Sequence, residues 1–176
     1  MIAQDVLDRA SRIKLLILDV DGVLTDGRIV LGNYGDELKF FDIHDGHGVV
    51  MLERAGIKTV ILSGRKSRIN IKRAKEMRVV KVYQDAHDKL KTFEKVLKKY
   101  RIKPEEICYV GDDVIDLPVL RRVGLSAAVQ NAVDEVKKAV HYVTERSGGR
   151  GAVREVTDLL LKAQNRWDEL MERYRR

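Results

Sequence analysis

Apolar and polar positions along the chain fall into blocks whose period changes. The run Lys14-Leu15-Leu16-Ile17-Leu18 places four apolar residues in a row, the pattern of a strand buried on both faces. Residues 57–62, 79–83, 107–110 and 125–129 repeat that pattern, with a further short strand around Tyr142. Helical stretches lie between: 48–55, 66–77, 87–100 with Phe93, Val96 and Leu97 on one stripe, a short turn at Pro104, one through Leu120, and 133–138. A last helix over about 151–174 carries Val153, Val156, Leu159, Leu160, Ala163, Trp167, Leu170 and Tyr174 at 3–4 spacing. One segment breaks the alternation. Residues 28–31 and 38–41 read as two extended runs joined by Gly32-Asn33-Tyr34-Gly35-Asp36, a β-hairpin within about 27–43. The expected fold is a single α/β domain over 1–176: a doubly wound, mostly parallel, Rossmann-like sheet with a hairpin inserted after its first strand.

Composition narrows the class. Of 176 residues, 44% are hydrophobic and 35% charged, which suits a globular chain with a charged exterior. No run reaches the roughly 20 apolar residues of a membrane span, and residues 1–12 lack the apolar core of a signal peptide. One cysteine, Cys108, excludes an internal disulfide, so a cytoplasmic protein is expected. The net charge of +7 is concentrated in residues 65–103, where 15 Lys and Arg face 4 Asp and Glu. That stretch matches no nucleic-acid motif, and its charges recur at helical spacing. A solvated helix face is the favoured expectation there; the alternative is that part of its field draws in a small anionic substrate.

Candidate chemistry sits at the carboxyl ends of the expected strands, where open parallel sheets bind ligands. Asp19-Val20-Asp21-Gly22 follows the first, and reads by itself equally well as an Asx-type turn or as a cation site. Ser63-Gly64-Arg65 follows the second and suits either helix capping by Ser63 or anion binding. Lys89 opens a helix against the local dipole, an unusual choice for structure alone. Gly111-Asp112-Asp113, with Asp116, follows the fourth. The segment Asp42-Ile43-His44-Asp45-Gly46-His47-Gly48 reads as a polar loop, with Asp45 capping the helix after it. Its two histidines fit ligand contact or an exposed loop better than a metal site, since structural zinc needs four ligands. Two acidic clusters on one sheet edge form a hard, oxygen-rich pocket for Mg²⁺. Asp19 is then placed as a nucleophile toward phosphorus, Asp21 as general acid and base, and Ser63 and Lys89 as holders of the phosphoryl oxygens.

Those four motifs resemble the haloacid dehalogenase superfamily of phosphatases. The hairpin, Phe41-Asp42-Ile43-His44-Asp45-Gly46, Leu62-Ser63-Gly64-Arg65, Val110-Gly111-Asp112-Asp113 and Gly148-Gly149-Arg150-Gly151-Ala152-Val153-Arg154-Glu155 resemble, more narrowly, the 3-deoxy-D-manno-octulosonate 8-phosphate phosphatases. The resemblance implies a capless homotetramer that serves lipopolysaccharide precursor synthesis, assembled by its hairpins, with a neighbouring subunit closing each site. It implies Mg²⁺ held by Asp19, Asp112 and the main-chain carbonyl of Asp21, with Gly111, Asp113 and Asp116 in support. Phosphate would meet Ser63 and Lys89; the sugar acid would meet Asp21, Asp42, His44, Asp45, Gly46, Arg65 and Arg73, with Arg150 approaching from its loop. One departure is His44, where the family carries arginine; histidine cannot bind a carboxylate bidentately. Two alternatives stand beside this reading: a phosphatase for a nine-carbon ulosonic acid 9-phosphate, and a receiver domain whose phosphoaspartate signals to a partner.

Overall fold

A computed structural model describes residues 2–175. The first strand, β1 (Leu15–Leu18), leads into a hairpin of β2 (Val30–Leu31) and β3 (Glu37–Leu38). The sheet continues with β4 (Lys58–Leu62), β5 (Lys81–Tyr83), β6 (Ile107–Gly111), β7 (Leu125–Ala128) and β8 (Tyr142–Val143). Its order is β5-β4-β1-β6-β7-β8, with every neighbouring pair parallel. The chain winds outward from β1 on one side and then from β6 on the other, so the crevice between β1 and β6 is the switch point where such sheets bind ligands.

The helices are α1 (Gln4–Ala10), α2 (Ile43–Arg54), α3 (Arg68–Glu76), α4 (Lys89–Tyr100), α5 (Leu117–Leu120), α6 (Asp134–Lys137), α7 (Ala152–Ala163) and α8 (Trp167–Glu172). Helix α2 lies along α7, which also meets α1, while α4 meets α5. Every residue of β1, β6 and β7 is buried, which requires cover on both faces of the sheet and explains the unbroken apolar runs. No helix among the described residues is long and apolar enough to cross a membrane.

Several boundaries differ from the expectation. Helix α2 begins at Ile43, five residues before 48, and Asp42 rather than Asp45 caps it by accepting from the His44 amide. The polar, glycine-rich stretch is therefore the first turn and a half of a helix. Its low propensity is overridden by packing: a Cβ at Gly46 would collide with the Arg73 guanidinium, and one at Gly48 with Thr157. Ser63 caps no helix, because Ser67 caps α3 through the Ile69 amide. The last helix is two, broken where Asn165 takes a left-handed φ of 56°. The hairpin strands pair over two residues each, and α1, which buries Val6 and Ala10, had no counterpart in the sequence reading.

Candidate active site

The site is built from the ends of β1 and β6. Asp19 follows β1, its amide held by the Val110 carbonyl at 3.2 Å and its Oδ1 accepting from the Val20 amide at 2.7 Å. The chain then folds tightly over the Val20 carbonyl, which accepts from the amides of Val23, Leu24 and Thr25. Gly22 in that turn has φ 91°, and a Cβ on it would run into the Asp112 carboxylate. Only glycine lets the two acidic loops close on each other. The glycine-rich loop backs the same turn: the Gly149 amide donates to the Val23 carbonyl at 2.9 Å.

Asp116 organises the second acidic loop. Its Oδ2 accepts from the amides of Asp112 (3.1 Å) and Asp113 (3.4 Å), while Oδ1 accepts from the Tyr109 hydroxyl at 2.5 Å and Lys89 Nζ at 2.6 Å. Asp88 caps α4, which sends Lys89, its first residue, into the interior. Lys89 Nζ also donates to Asp19 Oδ2 at 2.8 Å. A buried ammonium thus bridges two buried carboxylates, and the dipole penalty noted for Lys89 is outweighed by that pairing. Burial opposes the Lys89 charge, yet Asp19 and Asp116 more than restore it and hold its pKa above the ordinary lysine value.

Carboxylate oxygens of Asp19, Asp112 and Asp116 lie within 4.8 Å of one another. Burial pushes the Asp19 carboxyl up to about 6, with Asp116 adding to the shift and Lys89 opposing it. Burial, then Asp19 and Asp116, push Asp112 up to about 7. Carboxyls that resist ionisation alone ionise readily on a cation. The donors are all hard oxygens, which suits Mg²⁺ rather than a soft metal. Both Asp116 oxygens already accept two hydrogen bonds each, so Asp116 fits the role of a support better than that of a ligand.

Asp19, Asp21, Gly27, Gly64, Arg65, Asp112, Asp113 and Ile115 line a cavity of about 240 Å³ over these groups. Asp21 pairs through Oδ1 with Lys39 Nζ from the hairpin. Arg65 reaches the cavity but pairs with Glu37 at 2.9 Å. The Ser63 hydroxyl is buried, donates to the Arg65 carbonyl and accepts from the Arg65 amide, fixing that turn.

The remaining candidates lie elsewhere. Arg73 lies against α2, with Nη2 donating to the Asp42 carbonyl at 2.8 Å and its guanidinium 5.6 Å from the Phe41 ring centre. Asp45 is buried and points toward α7, accepting from the amides of Arg154 (2.7 Å) and Gly151 (3.3 Å). It caps that helix from another element. His44 and Arg150 are exposed and line a neighbouring cavity of about 460 Å³ with Asp26, Arg28, Phe40, Phe41, Asp42, Ile43 and Gly149. Sequence reasoning missed Lys39, Glu37 and Tyr109. A lysine beside two apolar residues in a hairpin was the one available signal.

A family model described as haloacid dehalogenase-like hydrolase matches residues 66–155. The 3-deoxy-D-manno-octulosonate 8-phosphate phosphatase of Yersinia pestis is 46% identical over 165 residues, covering 94% of this chain and 88% of that one. Its Escherichia coli K12 counterpart is 47% identical over 168 residues, covering 96% and 89%. Among solved structures, the Moraxella catarrhalis phosphatase of the same name, in complex with magnesium ion, phosphate ion and a KDO molecule, superposes with a TM-score of 0.95. That pair shares 38% identity and covers 97% of this chain and 98% of that one.

Proposed function

The chain belongs to the haloacid dehalogenase-like hydrolases, among the 3-deoxy-D-manno-octulosonate 8-phosphate phosphatases, and from that premise we propose that it converts this phosphoester to the free sugar acid and phosphate. It is a phosphoric monoester hydrolase, and the receiver alternative falls away. One observation carries the reading: the oxygens of Asp19, Asp112 and Asp116 gather at the β1/β6 crevice with Lys89 bridging two of them.

Asp19 attacks phosphorus; its oxygen bonds to the phosphoryl group as the ester bond breaks, giving an aspartyl phosphate. Asp21 protonates the departing sugar oxygen, then takes a proton from the water that releases phosphate and frees Asp19. Lys89, already on Asp19, offsets charge on the phosphoryl oxygens, and Ser63 shapes the backbone turn that faces them. Asp19, Asp112 and the main-chain carbonyl of Asp21 would hold Mg²⁺, which when bound neutralises phosphoryl charge and fixes the phosphate for in-line attack. Arg65, Arg73, Arg150, His44, Asp42 and Gly46 are assigned to the sugar acid; Asp45 acts through the Arg150 loop it pins.

The hairpin supports self-association. Val30, Leu38 and Phe40 are 37%, 55% and 69% exposed and share one face of the hairpin, an apolar face that the homotetramer implied by the resemblance would cover. A lone buried cysteine suits the reducing cytoplasm, and the family resemblance suits a place in lipopolysaccharide precursor synthesis. His44 in the lining of the neighbouring cavity, where the family carries arginine, favours testing a nine-carbon ulosonic acid 9-phosphate as second substrate. Assaying purified protein with both phosphoesters, with and without Mg²⁺, decides. Release of phosphate from the eight-carbon ester only with Mg²⁺ is expected; preference for the nine-carbon ester would reassign the substrate, and no release from either would refute the reading.

A further inference from the structure

The hairpin is inside out. Along its return strand Leu38 and Phe40 face outward, while Glu37 and Lys39 turn toward the site, and the Lys39 side chain is only 2% exposed. Hiding an ammonium just past a two-residue ladder is costly unless it is paired. Its partners are specific. Lys39 Nζ meets Asp21 Oδ1, Glu37 Oε1 lies 3.9 Å from the same ammonium, and Glu37 Oε1 also accepts from Arg65 Nη2 at 2.9 Å. Charges therefore alternate in an unbroken chain, Asp21, Lys39, Glu37, Arg65, whose two ends line the cavity. Among the described residues no donor hydrogen-bonds Asp21 Oδ2, and the Asp21 side chain, 24% exposed, lines the cavity.

We propose that Lys39 is a positioning residue for Asp21, and that Glu37 anchors it by holding Lys39 and Arg65 together. The inference rests on the phosphatase reading and adds a residue to it. With Oδ1 engaged by Lys39, the mobile proton travels on Oδ2: it leaves Asp21 for the ester oxygen as the P–O bond breaks, and a proton returns from the attacking water. Lys39 itself exchanges no proton. A carboxyl aimed in this way matters most when the leaving oxygen is a poor one, because an alkoxide must be protonated as it departs whereas an aryloxide carrying a nitro group departs as a stable anion.

The test compares kcat/KM for a sugar-acid phosphate, an alkyl ester, with that for p-nitrophenyl phosphate, in the full-length protein with Mg²⁺. Lys39→Met should lower the alkyl-to-aryl ratio of kcat/KM at least tenfold, a part of the roughly 10²–10⁴-fold that general acid catalysis contributes. Lys39→Arg, which keeps a cation on the carboxylate, should recover part of that ratio. Parallel losses on both esters would mean that Lys39 only holds the hairpin in place, and would overturn the proposal; so would an unchanged ratio. Should Lys39→Met not fold, as judged by circular dichroism, Lys39→Arg carries the test, its displaced carboxyl still penalising the alkyl ester more than the aryl one. A wild-type protein that cleaves neither ester sinks the phosphatase reading; one that cleaves both while the Lys39 variants keep its ratio sinks only this inference.

Discussion

Replacing Asp45 by asparagine should stabilise the protein at neutral pH while leaving it unchanged in acid. The side chain is buried between α2 and α7, and burial pushes its carboxyl up to about 6, with the nearby Asp42 adding and the Arg154 and Gly151 amides opposing. In the unfolded chain the same group titrates near 3.8. Between those values the native state holds more protons than the unfolded state, so stability falls as pH rises through the window and stays level above it. Two pKa units at about 1.4 kcal/mol each amount to about 3 kcal/mol lost by pH 7.5. Asparagine is nearly isosteric with the protonated acid and keeps one acceptor for the Arg154 amide. It does not ionise, so it escapes the loss. Urea unfolding of both proteins at intervals from pH 4.5 to 8, in chelator to exclude metal, reads the difference directly. The variant should lead by only about 1 kcal/mol at pH 4.5, where wild type has just begun to lose stability, and by up to about 3 kcal/mol above pH 7. A variant less stable at pH 8, or a difference constant with pH, would show that the two amide contacts outweigh desolvation and that the argument is wrong.

Four further outcomes follow from the site. Asp19→Asn should abolish phosphate release while circular dichroism shows the fold intact; turnover at the wild-type rate would remove Asp19 as nucleophile. Lys89→Met leaves Asp19 and Asp116 buried without their shared counter-ion, and should cost about 3–5 kcal/mol in urea unfolding besides activity. A loss below about 1 kcal/mol would mean that water replaces the ammonium. Gly22→Ala puts a methyl group where the Asp112 carboxylate lies, so Mg²⁺ should be needed at much higher concentration in an activity titration, and an unchanged titration would contradict the close approach. Phe40→Lys charges the outward face of the hairpin and should yield a smaller species in sedimentation; an undisturbed assembly would place the interface elsewhere.

What the sequence disclosed and what it hid have the same physical origin. Strands buried on both faces write themselves as unbroken apolar runs, so β1 and β6 were legible, and with them the acidic tips that follow. Lys89 was legible as an anomaly, a cation where a helix start disfavours one. The hairpin was legible as a hairpin but not in its facing, because period-2 alternation says which residues share a face and not which face looks inward. Lys39 and Glu37 were hidden for that reason. Asp42 and Asp45 are equally good caps by type, and only the packing of Arg73 and Thr157 against Gly46 and Gly48 shows where α2 begins. Asp116 was identified as a support, but its grip on Lys89 and Tyr109 belongs to long-range geometry that no spacing encodes.

The ammonium of Lys89 has a consequence beyond the reaction. A fold that gathers acids around a divalent ion usually risks depending on that ion to form at all. Here a covalently attached positive charge already sits between Asp19 and Asp116, so two of the three clustered acids are compensated before any metal arrives. Scarcity of magnesium would then idle the molecule without unfolding it, and resupply would wake the same copies rather than require new synthesis.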